Sequence, residues 1–164
     1  MAKSNNEMTL TLTNQEVELE IVATGNFTIE WGDDTSEQFT GNGTYSNYAR
    51  QYPNSNKRTI QLTGDDITWL RCHGNNLTSL DVSKNSALIW LDCHDNQLTS
   101  LDVSNNTALI GLACSFNQLT SLNVDKNKKL VWLHCENNKL TSLDVSKNTE
   151  LTEFGHDDDL KVVS

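Results

Sequence analysis

This sequence predicts a mainly β fold: a solenoid of about four to five short, helix-poor coils, capped at its N-terminus by a small β-sandwich-like unit. Three observations carry that expectation. Cys72, Cys93, Cys114 and Cys135 recur every 21 residues, and the surrounding text recurs with them. It reads LTSLDVSKNSALIWLDCHDNQ, LTSLDVSNNTALIGLACSFNQ and LTSLNVDKNKKLVWLHCENNK, and LTSLDVSKNTELTEFGHDDD closes the series. Within each unit apolar residues alternate as in a strand, and no half has the length or the 3.6-residue period of a helix. Before residue 67 the period vanishes, and short alternating runs broken by glycine and proline take its place.

Each unit divides into two similar halves, Leu98-x-x-Leu101-x-Val103-x-x-Asn106 and Leu109-x-x-Leu112-x-Cys114-x-x-Asn117. This is the leucine-rich-repeat signature. Alternation at Leu101/Val103 and Leu112/Cys114 is strand-like, with these side chains expected inward and Leu98 and Leu109 turning in at the bends, so that both sides of each coil are strand or irregular backbone. Two asparagine columns, Asn75/Asn96/Asn117/Asn138 and Asn85/Asn106/Asn127/Asn148, follow the strands. Their amides are expected to donate to and accept from neighbouring coils, a structural duty.

The cysteines fit neither a disulfide nor a zinc framework. Stacked coils would place them about 4.8 Å apart with parallel Cβ vectors. A disulfide needs side chains turned toward each other, and zinc needs ligands converging on a point. A ladder of small buried thiols is the expectation.

The last unit departs from the pattern. Phe154 stands for the strand leucine, His156 falls in the cysteine column and Asp159 in the asparagine column. Leu160 and Val163 match the next leucine pair after a one-residue deletion. A terminal coil must tolerate water on its outer side, so His156 reads as cap material.

The chain divides into residues 1–66, a β-rich capping unit, and residues 67–164, the solenoid. In the first part Thr9–Thr13, Val17–Ala23, Phe27–Trp31, Gln38–Thr40 and Arg58–Thr63 read as strands. The run Ile29-Glu30-Trp31-Gly32-Asp33-Asp34, followed by Tyr48-Ala49-Arg50-Gln51-Tyr52 and Arg58-Thr59-Ile60-Gln61-Leu62-Thr63, resembles the PKD-type immunoglobulin-like domain. That family has a WxFGDG turn, an H-x-Y and a final alternating strand. Here Asp34 replaces the usual glycine and Arg50 or Gln51 the histidine. The whole chain resembles bacterial cell-surface leucine-rich-repeat proteins, whose coils carry LTSLDVSxNTxLxxLxCxxNQ. The resemblance implies a secreted or surface-anchored binding or adhesion module, extracellular or at the cell surface.

Composition narrows the function classes. Residues 1–66 carry 4 Lys/Arg against 10 Asp/Glu and residues 67–164 carry 8 against 12, for a formal net charge of −10. No nucleic-acid role is expected, because neutralising phosphates takes clustered Lys and Arg. Lys126, Lys128 and Lys129 read as a solvated turn. Residues 1–25 lack the charged start and apolar run of a signal peptide, and no stretch has the length of a membrane-inserting span.

Comparing coils within the chain separates scaffold from surface. Ser79/Ser100/Ser121/Ser142 and Asp81/Asp102/Asn123/Asp144 barely change. The outward positions of the cysteine strands change freely: Trp69, Arg71, His73; Trp90, Asp92, His94; Gly111, Ala113, Ser115; Trp132, His134, Glu136; Glu153, Gly155, Asp157. Exposed tryptophans are frequent binding hot spots. Gly111, Ala113 and Ser115 would leave a notch between Trp90 and Trp132, two coils or about 10 Å apart, open to one flat group. The alternative is that the rings pack on each other, on the N-terminal unit or in a dimer interface. With the rings outward, Trp90→Ala and Trp132→Ala are expected to shift stability by less than about 1 kcal/mol, and Gly111→Trp to fill the notch without unfolding.

The candidate ligand-binding residues are therefore Trp69, Arg71, His73, Trp90, Asp92, His94, Gly111, Ser115, Trp132, His134 and Glu136, with a protein or glycan partner. Ser115, His94 and Asp92 make a nominal catalytic triad on an open, wet face, so no enzyme is expected. His73 and His94 supply two metal ligands in register, so no metal or other cofactor is expected. Asp33–Asp34 and Asp157–Asp159 lack calcium-loop spacing. The rival to recognition is a structural spacer or display scaffold within a larger surface protein.

Overall fold

The structure, a computed structural model, describes residues 6–64 and 66–164. Residues 1–5, part of the stretch read for a leader, and residue 65 of the capping unit lie outside the described residues. Six strands form the N-terminal unit: β1 (Glu7–Leu12), β2 (Glu16–Ala23), β3 (Asn26–Glu30), β4 (Ser36–Thr40), β5 (Ser46–Gln51) and β6 (Arg58–Thr63). Eight follow in the coils: β7 (Ile67–Arg71), β8 (Leu77–Asp81), β9 (Trp90–Asp92), β10 (Gly111–Ala113), β11 (Trp132–His134), β12 (Ser142–Asp144), β13 (Glu153–Gly155) and β14 (Lys161–Val163). The described residues contain no helix.

The sequence reading omitted β5. Its run SNYARQ has little apolar alternation, because it is an edge strand, paired only with β2 in its sheet. Elsewhere alternation drives burial: Met8, Leu10 and Leu12 of β1 and Val17, Leu19, Ile21 and Ala23 of β2 all point into one core. At the Trp31–Asp34 turn, Gly32 has φ +73, and a Cβ there would sit 2.5 Å from the Thr59 carbonyl oxygen. Asp34 is itself left-handed at φ 64, a conformation aspartate tolerates. The turn is locked by the Tyr52 hydroxyl donating to the Trp31 carbonyl (2.8 Å), Trp31 Nε1 donating to Glu37 (2.9 Å) and Arg50 paired with Asp33 (2.8 Å).

The two parts share sheets. Antiparallel pairing of β1 with β8 and of β2 with β7 carries both faces of the sandwich into the first coil. One sheet runs β4-β3-β6-β1-β8 and the other β13-β11-β10-β9-β7-β2-β5. From β7 onward the second sheet is parallel, with Leu70, Leu91, Leu112, Leu133 and Phe154 side by side. A single hydrophobic core extends from Met8 to Leu160.

Only one half of each middle coil forms a strand ladder. Leu98, Leu101 and Val103 are buried as expected, yet residues 98–103 form no ladder. A turn follows this half in every coil, with or without a ladder: Asn106 N–H donates to Val103 O (3.0 Å) and Leu109 N–H to Asn106 O (3.0 Å). The Asp81/Asp102/Asn123/Asp144 column closes the preceding bend, each side chain accepting from the backbone N–H two residues on. Hydrogen bonds from Ser83 hold the Asp81 carboxyl below its ordinary pKa, and those from Ser104 and Ser146 do the same for Asp102 and Asp144.

The asparagine columns differ from each other. In the first, Asn117 Nδ2 donates to Cys93 O (3.0 Å) and Cys114 O (3.1 Å), while its Oδ1 accepts from Leu98 N–H (2.9 Å). In the second, Asn127 Nδ2 donates to Val103 O and Asn106 O (2.9 Å each). The Oδ1 atoms of Asn85, Asn106, Asn127 and Asn148 are buried with no partner among the described residues, so the last three only donate, and Asn85, first in the column, has no partner for its Nδ2 either.

Cys72, Cys93, Cys114 and Cys135 are buried and free. Burial pushes all four thiols up, Cys135 to about 12. In the last coil β14 pairs with β12 so that Val162, opposite Leu143, faces the core and Val163 is 44% exposed. Leu160 is buried as expected, but the second member of the pair is off by one, because Val162 rather than Val163 sits opposite Leu143. His156 rests against Phe154 (4.6 Å) and its Nδ1 lies 2.8 Å from Asp157 O.

Candidate functional site

Parallel pairing fixes the outward face of the second sheet. Trp69, Trp90, Gly111, Trp132 and Glu153 lie side by side, as do Arg71, Asp92, Ala113, His134 and Gly155. Strands about 4.8 Å apart bring same-column rings to stacking distance. Trp69 stacks on Trp90 (4.5 Å, 5° between planes) and Trp90 on Trp132 (5.0 Å, 27°). Tyr45, from the N-terminal unit, meets Trp69 edge-on at 5.1 Å, and His134 stacks on Trp132 at 3.9 Å.

This overturns the expected notch. Trp90 folds over Gly111, where a Cβ would sit 2.1 Å from the ring carbons, and so reaches Trp132 across the missing side chain. Glycine is required because the indole occupies the space. The expectation that Gly111→Trp would fill an empty gap is corrected with it, since that gap is already full.

Beside the ladder lies an open groove of about 690 Å³. Nine of the eleven candidate residues line it: Trp69, Arg71, Trp90, Asp92, His94, Ser115, Trp132, His134 and Glu136. Gly111 lies beneath Trp90, and His73 is outside the lining. The polar floor is tied together. Arg71 Nε donates to Asp92 (3.0 Å), and its Nη1 reaches Glu20 (3.3 Å). His94 Nδ1 lies 2.6 Å from the other Asp92 oxygen, and the Ser115 hydroxyl donates to Glu136. His134 sits between Glu136 (3.7 Å) and Glu153 (3.4 Å). The hydroxyl of Ser115 is therefore given to a carboxylate rather than to His94, and the nominal triad is not assembled.

One aspartate of each acidic run is also engaged by protein donors. Asp33 binds Arg50 and Thr35, and Asp157 accepts the Asn137 N–H (2.9 Å). Lys126, Lys128 and Lys129 are exposed at turns.

Four contributors were missed from the sequence: Tyr45, Glu20, Asn137 and Phe116. Tyr45 and Glu20 arrive from another part of the chain, so no local pattern marks them. Phe116 carried a readable signal. It occupies the 21-residue column Gly74/Asp95/Phe116/Asn137, in which every member has positive φ, at 67, 54, 54 and 56°. Three are turn formers suited to that conformation, and the fourth is a bulky apolar residue that is 57% exposed on the groove's lining.

Fold and face together define a short leucine-rich-repeat solenoid with a cysteine ladder inside and an aromatic ladder outside. The chain is similar to the functional domain of InlJ from Listeria monocytogenes, which includes a cysteine ladder. Identity is 41%, with a TM-score of 0.55 over 58% of this chain. The match covers 21% of that chain, so the present chain spans about a fifth of its length. No family model and no curated protein matches the sequence.

Proposed function

We propose that the chain is a non-catalytic recognition or adhesion module that binds a protein or glycan partner on the Trp-bearing strand face. The observation that carries this reading is Phe116. A left-handed phenylalanine costs roughly 1–2 kcal/mol over a residue suited to that region, and exposure gives back little of it. The same column uses Gly, Asp or Asn in the other coils. Strain held at one position, beside an open groove, supports a functional contact there. The stacked tryptophans form a rigid wall against which an apolar side chain or a sugar ring can lie.

The repeat resemblance supports a bacterial extracellular or cell-surface setting. The N-terminal unit acts as the cap of the first coil, and its PKD-type resemblance is supported by the left-handed Asp34 where that family has glycine. The second reading, a spacer or display scaffold, draws on the ladder itself, whose rings spend their faces on one another. A glycan array and a pull-down against surface proteins, with wild type and Phe116→Asn, separate the two. Binding by wild type that the variant loses supports recognition, and a wild type that binds nothing favours the spacer.

A further inference from the structure

We propose that His73, Asp92 and His94 form a binding site for a divalent transition-metal ion such as zinc, nickel or copper. The sequence counts two ligands here. The fold brings in the third.

Arg71 pairs with Asp92 across β7 and β9. Two residues beyond that pair, the His73 and His94 rings lie face to face at 4.7 Å with 9° between their planes. Asp92, two residues before His94, projects from the same face and is buried at its base. One ligand atom from each of the three lies within 4.8 Å of the others. Metal–nitrogen bonds of about 2.0–2.1 Å place two tetrahedral ligand atoms about 3.3 Å apart. Parallel rings must therefore tilt toward each other. Neither imidazole is buried, so a side-chain rotation suffices and the backbone stays in place.

The carboxylate is held ready for this role. Arg71 Nε fixes one Asp92 oxygen at 3.0 Å, and the other shares a 2.6 Å hydrogen bond with His94 Nδ1 that a bound cation would displace as the ring rotates. Glu20, 3.3 Å from Arg71 Nη1, offsets the positive charge that would oppose a cation. A ligating carboxylate oriented by an outer hydrogen bond is the usual support of a metal site. Two imidazoles and one carboxylate suit zinc, nickel or copper, whereas calcium and magnesium take oxygen donors. Three protein ligands leave a coordination position open to water or to a donor from a partner. This site stands on its own geometry and does not depend on the recognition reading.

The test is calorimetric titration of the full chain with Zn²⁺, Ni²⁺ and Mg²⁺, alongside thermal melts. Wild type is expected to bind one Zn²⁺ or Ni²⁺ and to be stabilised by it, with no response to Mg²⁺. His73→Ala and His94→Ala should each weaken binding by roughly tenfold or more and remove the zinc-dependent rise in Tm. His156→Ala, at the far end of the solenoid, should change neither. The milder His73→Gln and His94→Gln variants keep the comparison if an alanine variant misfolds. Absence of binding, equal affinity for Mg²⁺, or binding that survives both histidine substitutions would overturn the proposal.

Discussion

Replacing Trp90 by alanine removes the middle ring of the external ladder and leaves Trp69 and Trp132 without their shared partner. The structure sets the size of the effect. Trp90 makes two stacked contacts, at 4.5 and 5.0 Å, and covers Gly111. Each ring pair contributes about 0.5–1.5 kcal/mol beyond area burial. A half-buried indole keeps roughly 100 Å² from water, about 2.5 kcal/mol. Trp90→Ala should therefore lower stability by about 3.5–5.5 kcal/mol, comparable with the core truncation Leu112→Ala at about 2–5 kcal/mol. This replaces the value below about 1 kcal/mol expected for a ring standing free in solvent. Urea denaturation at unchanged m-value measures it, and a Trp69/Trp90 double-mutant cycle isolates the stacking part. A loss under about 1 kcal/mol with no coupling would show that the rings do not support one another.

Gly111→Ala should lower Tm, because its Cβ meets the Trp90 ring; an unchanged Tm would mean the indole does not lie there. The four thiols should resist a thiol reagent in the native state and react fully in denaturant, and detection of a Cys93–Cys114 disulfide would refute the ladder. Their folded pKa values lie above the unfolded value, so the stability they contribute is complete below about pH 8.5 and falls as pH rises past it. Each thiol adds a slope of about 1.4 kcal/mol per pH unit there, and Cys93→Ala/Cys114→Ala should flatten the alkaline loss measured by denaturation. Deleting residues 1–66 uncovers β7 and β8 and should give an aggregating or partly unfolded solenoid; a monomeric fragment melting as sharply as the full chain would remove the capping role.

Repetition made the solenoid readable. The columns Leu70/Leu91/Leu112/Leu133 and Cys72/Cys93/Cys114/Cys135 are inward because period two and period 21 agree, and the structure buries every one. The Leu98–Val103 half carries the same alternation yet forms no ladder, because burial pattern reports direction and not hydrogen bonding. On the outer face, sequence placed the tryptophans in one column but not the angle of each ring. Trp90 leans over Gly111 only because its neighbour lacks a side chain, a conformational choice that a column of letters does not encode. Tyr45 and Glu20 join the face because β2 pairs with β7 of the first coil and β5 with β2, which no local motif reports. Phe116 was legible in principle, as the odd residue in a column of turn formers.

The most direct test of the recognition face is the paired stability and affinity of Phe116→Asn. Asparagine accepts the left-handed backbone, so relief of roughly 1–2 kcal/mol should leave Tm unchanged or raise it by a few degrees. Against any glycan or protein that the wild type binds, affinity should fall by about tenfold or more. A variant that binds its partner as tightly as wild type, or that loses stability together with binding, would contradict the assignment of Phe116 and its groove to recognition.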